Sequence, residues 1–317
     1  MKRNTEAAAG KLTDEVLSRK LGNCQRAESI GMLLGIPCVI AGCVLAFVRH
    51  DVVLFALLFF GGVGLILLVS LPAQKKKKAL LQQQLGDYFQ AELDRVFGPA
   101  PETPALPIDK SYLAETGLVA LPWTECAADC FREGVHRGLR FSAANVELRR
   151  VVEERSGPDN DNWMSRMETV FRGVVIRCGN LCAPGTDLVI RDGMQKLTDS
   201  DWTDPAAFRQ RFTVHTAEGR AADALVTPEL RTLLRNFEKA GAGRLCGLVL
   251  RDGTAALALE TQYLFADIPD ALDMRDVDGV RKWYTATLTG MGRLLDMLLD
   301  SPALSGGAEK QCEEEHA

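Results

Sequence analysis

Residues 29–71 read SIGMLLGIPCVIAGCVLAFV, then RHD, then VVLFALLFFGGVGLILLVSL. The two uncharged stretches, Ser29–Val48 and Val52–Leu71, are each about 20 residues long, the length that an α-helix needs to cross the hydrocarbon core of a bilayer. A separation of only three residues forces the two helices to run antiparallel. The pattern therefore predicts an N-terminal transmembrane hairpin. Two buried helices of a soluble core are the alternative, but such helices rarely remain uncharged for so long.

Basic residues flank this hairpin on one side. Six lysines and arginines precede the first stretch, one arginine lies in the turn, and the second stretch is followed by Lys75, Lys76, Lys77 and Lys78. Basic residues next to membrane spans are retained in the cytoplasm, so both termini are expected to be cytoplasmic. The four lysines are predicted to anchor the chain to membrane lipids, at about 1 kcal/mol for each lysine near an anionic leaflet.

Small residues in the first stretch predict close helix packing. Gly31 and Gly35 form a GxxxG pattern, and Gly42 follows one heptad later. Glycines at this spacing allow two helices to approach closely. They could pack the two helices of one hairpin, or they could join copies of the chain into a homo-oligomer. Neither stretch holds an ionisable residue, which argues against a pump, a proton relay or an ion channel.

Charge is distributed unevenly along the 317 residues. Residues 1–98 hold 12 Lys and Arg against 8 Asp and Glu, a net charge of +4, and the remainder holds 25 against 34, a net charge of −9. An acidic main region argues against contacts with phosphate backbones, so no nucleic-acid partner is expected. The basic front fits a membrane surface.

Composition divides the chain into six predicted segments. These are a cytoplasmic N-terminal segment (1–28), the transmembrane hairpin (29–72, with spans 29–48 and 52–71), a basic juxtamembrane amphipathic helix (73–98), a Pro-rich linker (99–109), a cytoplasmic α+β domain (110–300) and an acidic disordered tail (301–317).

Strand and helix patterns mix over residues 110–300. Thr227 is a predicted N-cap before Pro228, and Asp252-Gly253 is a strong hairpin turn signal. The fold class is therefore α+β: a two-helix transmembrane hairpin, then a soluble, mainly antiparallel-sheet domain with a C-terminal helix. The predicted strands are Phe131–Phe141, Val146–Glu153, Thr169–Cys178, Asp187–Arg191, Gln210–Thr216, Arg244–Arg251 and Thr254–Glu260, and the final helix is Asp276–Leu299.

Groups that could carry chemistry are few. The 9 cysteines include two C-x3-C pairs, Cys126/Cys130 and Cys178/Cys182. Zinc ribbons usually have two residues between the cysteines, and no histidine lies near either pair, so reduced thiols are the favoured interpretation. The acidic clusters 159–162 and 199–204 lack the glycine of an EF-hand, and no metalloprotease, nucleophile-elbow or P-loop motif occurs. The sequence predicts no catalytic residue, cofactor or metal site.

Three stretches carry a resemblance to a known family. They are Thr169–Ile176 (TVFRGVVI), Trp202–His215 (WTDPAAFRQRFTVH) and Ala222–Leu230 (ADALVTPEL). Together they resemble the bacterial two-pass membrane proteins of "domain of unknown function 3137", over residues 80–300 and with a hairpin in front. The pattern departs from that family where Arg177–Asn180 replaces a more aromatic continuation. The resemblance implies a bacterial membrane protein of unknown activity and supplies no catalytic residues.

The sequence as a whole predicts a membrane-anchored cytoplasmic binding or scaffolding module in the bacterial cytoplasmic (inner) membrane. Its expected partners are membrane lipids, through the hairpin and the lysine run, and a protein of unknown identity. Two alternatives stay open. One is an enzyme whose active site is not visible in the sequence, and the other is a subunit of an oligomeric membrane assembly.

Overall fold

The chain forms two compact units. The computed structural model describes residues 12–49, 52–98, 106–120, 122–155, 163–183, 185–193, 203–216, 225–261, 264–269, 272–301 and 304. A helical unit comprises residues 1–92 and 268–285, and a sheet unit comprises residues 93–267 and 286–317. The predicted turn at residues 50–51, most of the predicted linker and nearly all of the predicted tail lie outside the described residues.

The helical unit is built around an antiparallel hairpin. Its first helix, α1, spans Asp14–Arg49. The second is continuous from Val52 to Phe97 and consists of α2 (Val52–Leu65), a π-helical turn (Ile66–Ser70) and α3 (Leu71–Phe97). Both helices are long and apolar enough to cross a membrane, judged by length and composition. The predicted spans lie inside them.

A small apolar core lies beyond the predicted spans in the helical unit. It joins the first turns of α1, the middle of α3 and the beginning of α7, which spans Val277–Leu299. The rings of Phe89 and Tyr284 pack with their centroids 4.2 Å apart. The amphipathic stretch predicted after the lysines therefore continues the second apolar helix and buries its apolar face against protein. The core residues are Leu17, Leu21, Leu81, Leu85, Met274, Val277 and Val280.

Polar contacts fasten the segment 268–285 to α1 and α3. The side chain of Gln25 donates to the carbonyl of Leu272 and accepts from the amide of Met274, at 2.8 and 3.1 Å. Both terminal guanidinium nitrogens of Arg281, Nη1 and Nη2, donate to the carboxylate of Asp14, at 2.8 and 2.9 Å. The segment thus caps the hairpin although about 250 residues separate it from α1.

The sheet unit contains one seven-stranded sheet with the order β1-β2-β3-β7-β6-β4-β5. Every neighbouring pair is antiparallel, which confirms the α+β fold class. The strands are β1 (Glu125–His136), β2 (Leu139–Arg155), β3 (Trp163–Cys178), β4 (Asp187–Asp192), β5 (Phe212–Thr216), β6 (Arg244–Arg251) and β7 (Thr254–Glu260). The sheet unit also contains the helices α4 (Lys110–Thr116), α5 (Pro205–Arg211) and α6 (Pro228–Phe237).

Local sequence signals explain several element boundaries. The Thr227 hydroxyl accepts from the amide of Leu230, which confirms the predicted cap of α6. Asp252 and Gly253 have φ angles of 47° and 79°, as a two-residue hairpin turn of type I′ requires, and they join β6 to β7 as predicted.

The single strand predicted at Phe131–Phe141 is wrong. A second two-residue turn, Arg137-Gly138, divides it with φ angles of 49° and 85°. Residues before the turn belong to β1 and residues after it belong to β2. Arg-Gly lacks the Asn-Gly or Asp-Gly signature by which such turns are recognised, so the sequence did not reveal the turn.

Candidate functional site

The lysine run does not act as a single surface. Lys75, Lys76 and Lys78 are exposed, whereas Lys77 is buried, with 6% of its surface accessible. Its ammonium donates to the carboxylate of Glu28 on α1 at 2.8 Å, and the other oxygen of that carboxylate accepts from Gln74. A buried charge is tolerated when it is paired and hydrogen-bonded. Lys77 therefore ties α3 to α1, and three lysines remain for a membrane surface.

The three predicted packing glycines lie where α1 meets the second helix. A Cβ at Gly31 would come 3.0 Å from the Ser70 side chain, and one at Gly35 would come 2.7 Å from Ile66. A Cβ at Gly42 would come 3.1 Å from the backbone nitrogen of Phe59. A Cβ at Gly35 would force its neighbours to shift, and one at Gly31 or Gly42 would make a contact tighter than most that a Cβ makes. The glycines thus sit at the interface within one hairpin.

A cleft lies between α1 and α3 just beyond the predicted spans. It has a volume of about 380 Å³. Its wall combines two lysines with small and apolar side chains and contains no carboxylate. From the sequence, Lys20 was predicted only to be one of the basic residues that flank the first span. The lining residues are Lys20, Asn23, Cys24, Ala27, Pro72, Ala73, Lys76 and Leu80.

The two C-x3-C pairs do not converge on one metal ion. Cys126 lies opposite Leu148, which lies opposite Phe171 on β3. Cys178 is seven residues further along β3, so Cys126 and Cys178 are about 23 Å apart along the strands. No group of three or more potential metal ligands occurs among the described residues. A zinc site shared by the four cysteines is incompatible with this geometry.

The buried thiols are poor nucleophiles. Burial raises the pKa of Cys178 to about 12, and it also raises the pKa of Cys246 to about 12. The reactive form of cysteine is the thiolate, and an environment that raises the pKa suppresses it at neutral pH. Burial raises the pKa of Cys126 and of Cys182 as well. These four cysteines act as small apolar side chains.

A charged cluster lies at one end of β4, β6 and β7. Arg211 donates to Glu238 at 3.0 Å and lies 3.6 Å from Asp192, and Arg244 donates to Glu260 at 2.8 Å. The Glu238 carboxylate also accepts from the backbone amide of Leu245. Because its carboxylates are paired with arginines, the cluster is satisfied internally. Its geometry fits a structural lock between α5, the turn after α6 and the sheet.

His136 is partly buried, and its ring nitrogen lies 2.8 Å from a carboxylate oxygen of Asp296. Arg137 donates to the same oxygen at 3.0 Å. The hydrogen bond from His136, and next that from Arg137, lower the pKa of Asp296. General-base catalysis on a nucleophile would need a hydroxyl or thiol within reach of the histidine. Among the described residues, none is hydrogen-bonded to His136.

A groove in the sheet unit lies beside β5. It has a volume of about 360 Å³ and is lined mainly by the aromatic and apolar side chains of α5, β5 and Val226. Arg231 also lines it, but its guanidinium donates to the carbonyls of Thr203 and Val226 at 2.8 and 2.9 Å. Because the guanidinium of Arg231 is already hydrogen-bonded to the backbone, it offers little for ligand recognition.

The long β2–β3 hairpin ends in an arm, formed by residues 150–155 of β2 and 163–168 of β3. These residues pair with one another, from Arg150 opposite Glu168 to Arg155 opposite Trp163. Neither β1 nor β7 reaches them in the described part of the chain. Six residues in each strand extend the sheet by about 20 Å. Val151 and Met167 are 47% and 45% exposed on the arm.

Comparisons with protein-family models, with curated proteins and with solved structures find no match to this chain. The resemblance to the two-pass bacterial family therefore stays a prediction.

Proposed function

We propose that this chain is a two-pass protein of the bacterial cytoplasmic membrane, with both termini in the cytoplasm and with its sheet unit acting as a binding or scaffolding module for a protein partner. The observation that carries the proposal is the exposure of the apolar helices. Only 17% and 6% of their most apolar windows are buried. A core helix of a soluble protein would bury such a window, whereas a membrane helix turns it towards lipid.

The orientation follows from the basic residues that surround the hairpin. Lys75, Lys76 and Lys78 are exposed where α3 begins, and Arg19, Lys20 and Arg26 lie at the matching level of α1. Basic residues near the ends of spans are retained on the cytoplasmic side. This arrangement supports cytoplasmic placement of both termini and of everything after α2.

The scaffolding role is supported by the way in which the chain is tethered. The chain passes from the helical unit to the sheet unit after residue 92, returns at residue 268, and leaves again after residue 285. The sheet unit is thus joined at three points to a unit that carries the membrane helices. A tether of this kind raises the effective concentration of a bound partner near the membrane.

The arm is the surface best suited to a protein partner. A two-stranded ribbon is marginally stable by itself in water, and this one exposes Val151 and Met167 beside a cross-strand ion pair between Arg150 and Glu168. Exposed apolar side chains within a charged rim are typical of protein interaction sites.

Reporter fusions test the membrane orientation. A green fluorescent protein at the C-terminus should fluoresce, and alkaline phosphatase inserted after residue 50 should be active, because the first folds in the cytoplasm and the second only outside it. Phosphatase fused at the C-terminus is the matched control and should be inactive. An active phosphatase at the C-terminus would reject the orientation.

Site-specific photocrosslinking in cells tests the role of the arm. A photoreactive amino acid at Met167 should give an adduct of defined mass with one protein. The same amino acid at the exposed Ala114 of α4 is the control and should not give that adduct. Identical adducts from both positions, or none from Met167, would contradict the assignment of the arm as the docking surface.

A further inference from the structure

We infer that the cleft between α1 and α3 binds the headgroup of an anionic phospholipid, with the phosphate between Lys20 and Lys76 and the start of the acyl chains on the apolar wall. The inference rests on the membrane placement proposed above and names a ligand for a site that the lysine run alone does not define. Two lysines and no carboxylate line the cleft. Such a lining favours an anion.

The position of the cleft along the helices fits the headgroup layer. Ala27 and Pro72 lie within two residues of the predicted spans, about 3 Å along the helix axis. Lys76 lies five residues beyond Leu71, about 7.5 Å along the axis. Each headgroup layer is about 5–8 Å thick. Lys76 therefore lies at phosphate level. Lys20 lies nine residues before Ser29, about 13.5 Å along the axis, so its long side chain must extend back towards the membrane to reach the same phosphate.

The wall of the cleft matches the two halves of a lipid. At the end towards the hydrocarbon, Ala27, Pro72 and Ala73 present small apolar groups, and Ala73 is 8% exposed. At the other end, Lys20, Asn23 and Lys76 present hydrogen-bond donors, and Leu80 adds one apolar side chain beside them. A free phosphate would use only the second set, whereas a phospholipid uses both. The apolar half therefore decides between the two sources of phosphate.

The two exposed lysines of the run that do not line the cleft provide a matched control. Lys75 and Lys78 lie four and seven residues beyond Leu71, on either side of Lys76, but are absent from the cleft wall. Lys77 is excluded from the design because it is paired with Glu28 inside the hairpin. The double variants K20Q/K76Q and K75Q/K78Q remove the same charge. Only the first changes the cleft.

The test is lipid retention by the full chain in detergent, measured by native mass spectrometry. The protein is delipidated and titrated with short-chain phosphatidylglycerol, with short-chain phosphatidylcholine and with inorganic phosphate. A lysine near an anionic group contributes about fivefold to the binding constant. K20Q/K76Q should therefore weaken phosphatidylglycerol binding about 25-fold, whereas K75Q/K78Q should weaken it less than threefold.

A third variant separates shape from charge. Ala27→Phe keeps both lysines and fills the apolar end of the cleft, so it should lower phosphatidylglycerol binding at least tenfold. The thermal midpoint of each variant is measured as a check on folding. Equal losses in the two lysine variants, unchanged binding in Ala27→Phe, or inorganic phosphate binding as tightly as the lipid would each overturn the inference. The reporter fusions decide the orientation separately, so either proposal can fail alone.

Discussion

The helical unit and the sheet unit treat their large apolar side chains in opposite ways. In the helical unit, Phe60 and Leu68 are 68% and 78% exposed. In the sheet unit, Phe171 and Leu257 are each 1% exposed. A protein folding in water throughout would not leave one such set outside while burying the other. The difference is the one expected if the apolar helices face lipid while the sheet unit folds in water.

The same truncation should have opposite outcomes in the two units. Phe171→Ala leaves a cavity in the sheet core and should lower the free energy of unfolding of the sheet unit by about 3–5 kcal/mol. Phe60→Ala removes a side chain that touches little protein and should leave the free energy of unfolding of the helical unit unchanged. Denaturant titration of the full chain in detergent, followed by tryptophan fluorescence, measures both. A comparable loss in Phe60→Ala would show that the apolar face of α2 packs on protein.

A charge placed on each exposed apolar surface distinguishes lipid from water. Phe60→Arg should disfavour membrane insertion by about 2.5–3.5 kcal/mol, as for arginine near the centre of a span. Val151→Arg, on the arm of the sheet unit, should have no effect on insertion. The fraction of protein resistant to alkaline extraction measures the difference. Full retention of Phe60→Arg in the membrane would place that face away from lipid.

Two neighbouring glycines of α2 have different surroundings. A Cβ at Gly62 would come 2.6 Å from the carbonyl oxygen of Gly35, whereas one at Gly61 meets nothing within 4 Å among the described residues. Gly62→Val should destabilise the hairpin by about 1–3 kcal/mol through overpacking, and Gly61→Val should not. Both variants have the same change in helix propensity, so their difference in thermal midpoint in detergent isolates the packing. If Gly61→Val destabilised more, the hairpin interface would lie elsewhere.

The smallest expected effect is a pH dependence in the helical unit. The hydrogen bond from Arg281 lowers the pKa of Asp14 in the folded chain. A lowered pKa stabilises the folded state above the unfolded value of about 3.9 and loses that contribution as the pH falls. The unchanged chain and Asp14→Asn should therefore differ in hydrogen exchange over residues 277–285 at pH 6. This difference should become smaller at pH 3. Glu15→Gln is the control and should resemble the unchanged chain at both pH values.

Strong local signals in the sequence were sufficient for the hairpin, for the α6 cap at Thr227 and for the Asp252-Gly253 turn. The interior position of Lys77 also had a signal, because Lys77 lies four residues before Leu81 and eight before Leu85, on the apolar stripe of α3. That signal was hidden by three neighbouring lysines of the same chemistry. The Arg137-Gly138 turn had no such signature, so β1 and β2 were merged.

The two apolar helices, their antiparallel order and the succession of strands could be predicted from the sequence, since each depends on residues close together in the chain. Only the tertiary structure decided that residues 268–285 belong to the helical unit and that Lys77 is paired with Glu28. The apolar residues Val277 and Val280 predict that one face of α7 is buried. They do not identify what covers that face, because any apolar surface could do so. The partner was fixed by the hydrogen bonds of Gln25 to the backbone of residues 272–274 and of Arg281 to Asp14. These form only when two segments far apart in the sequence meet.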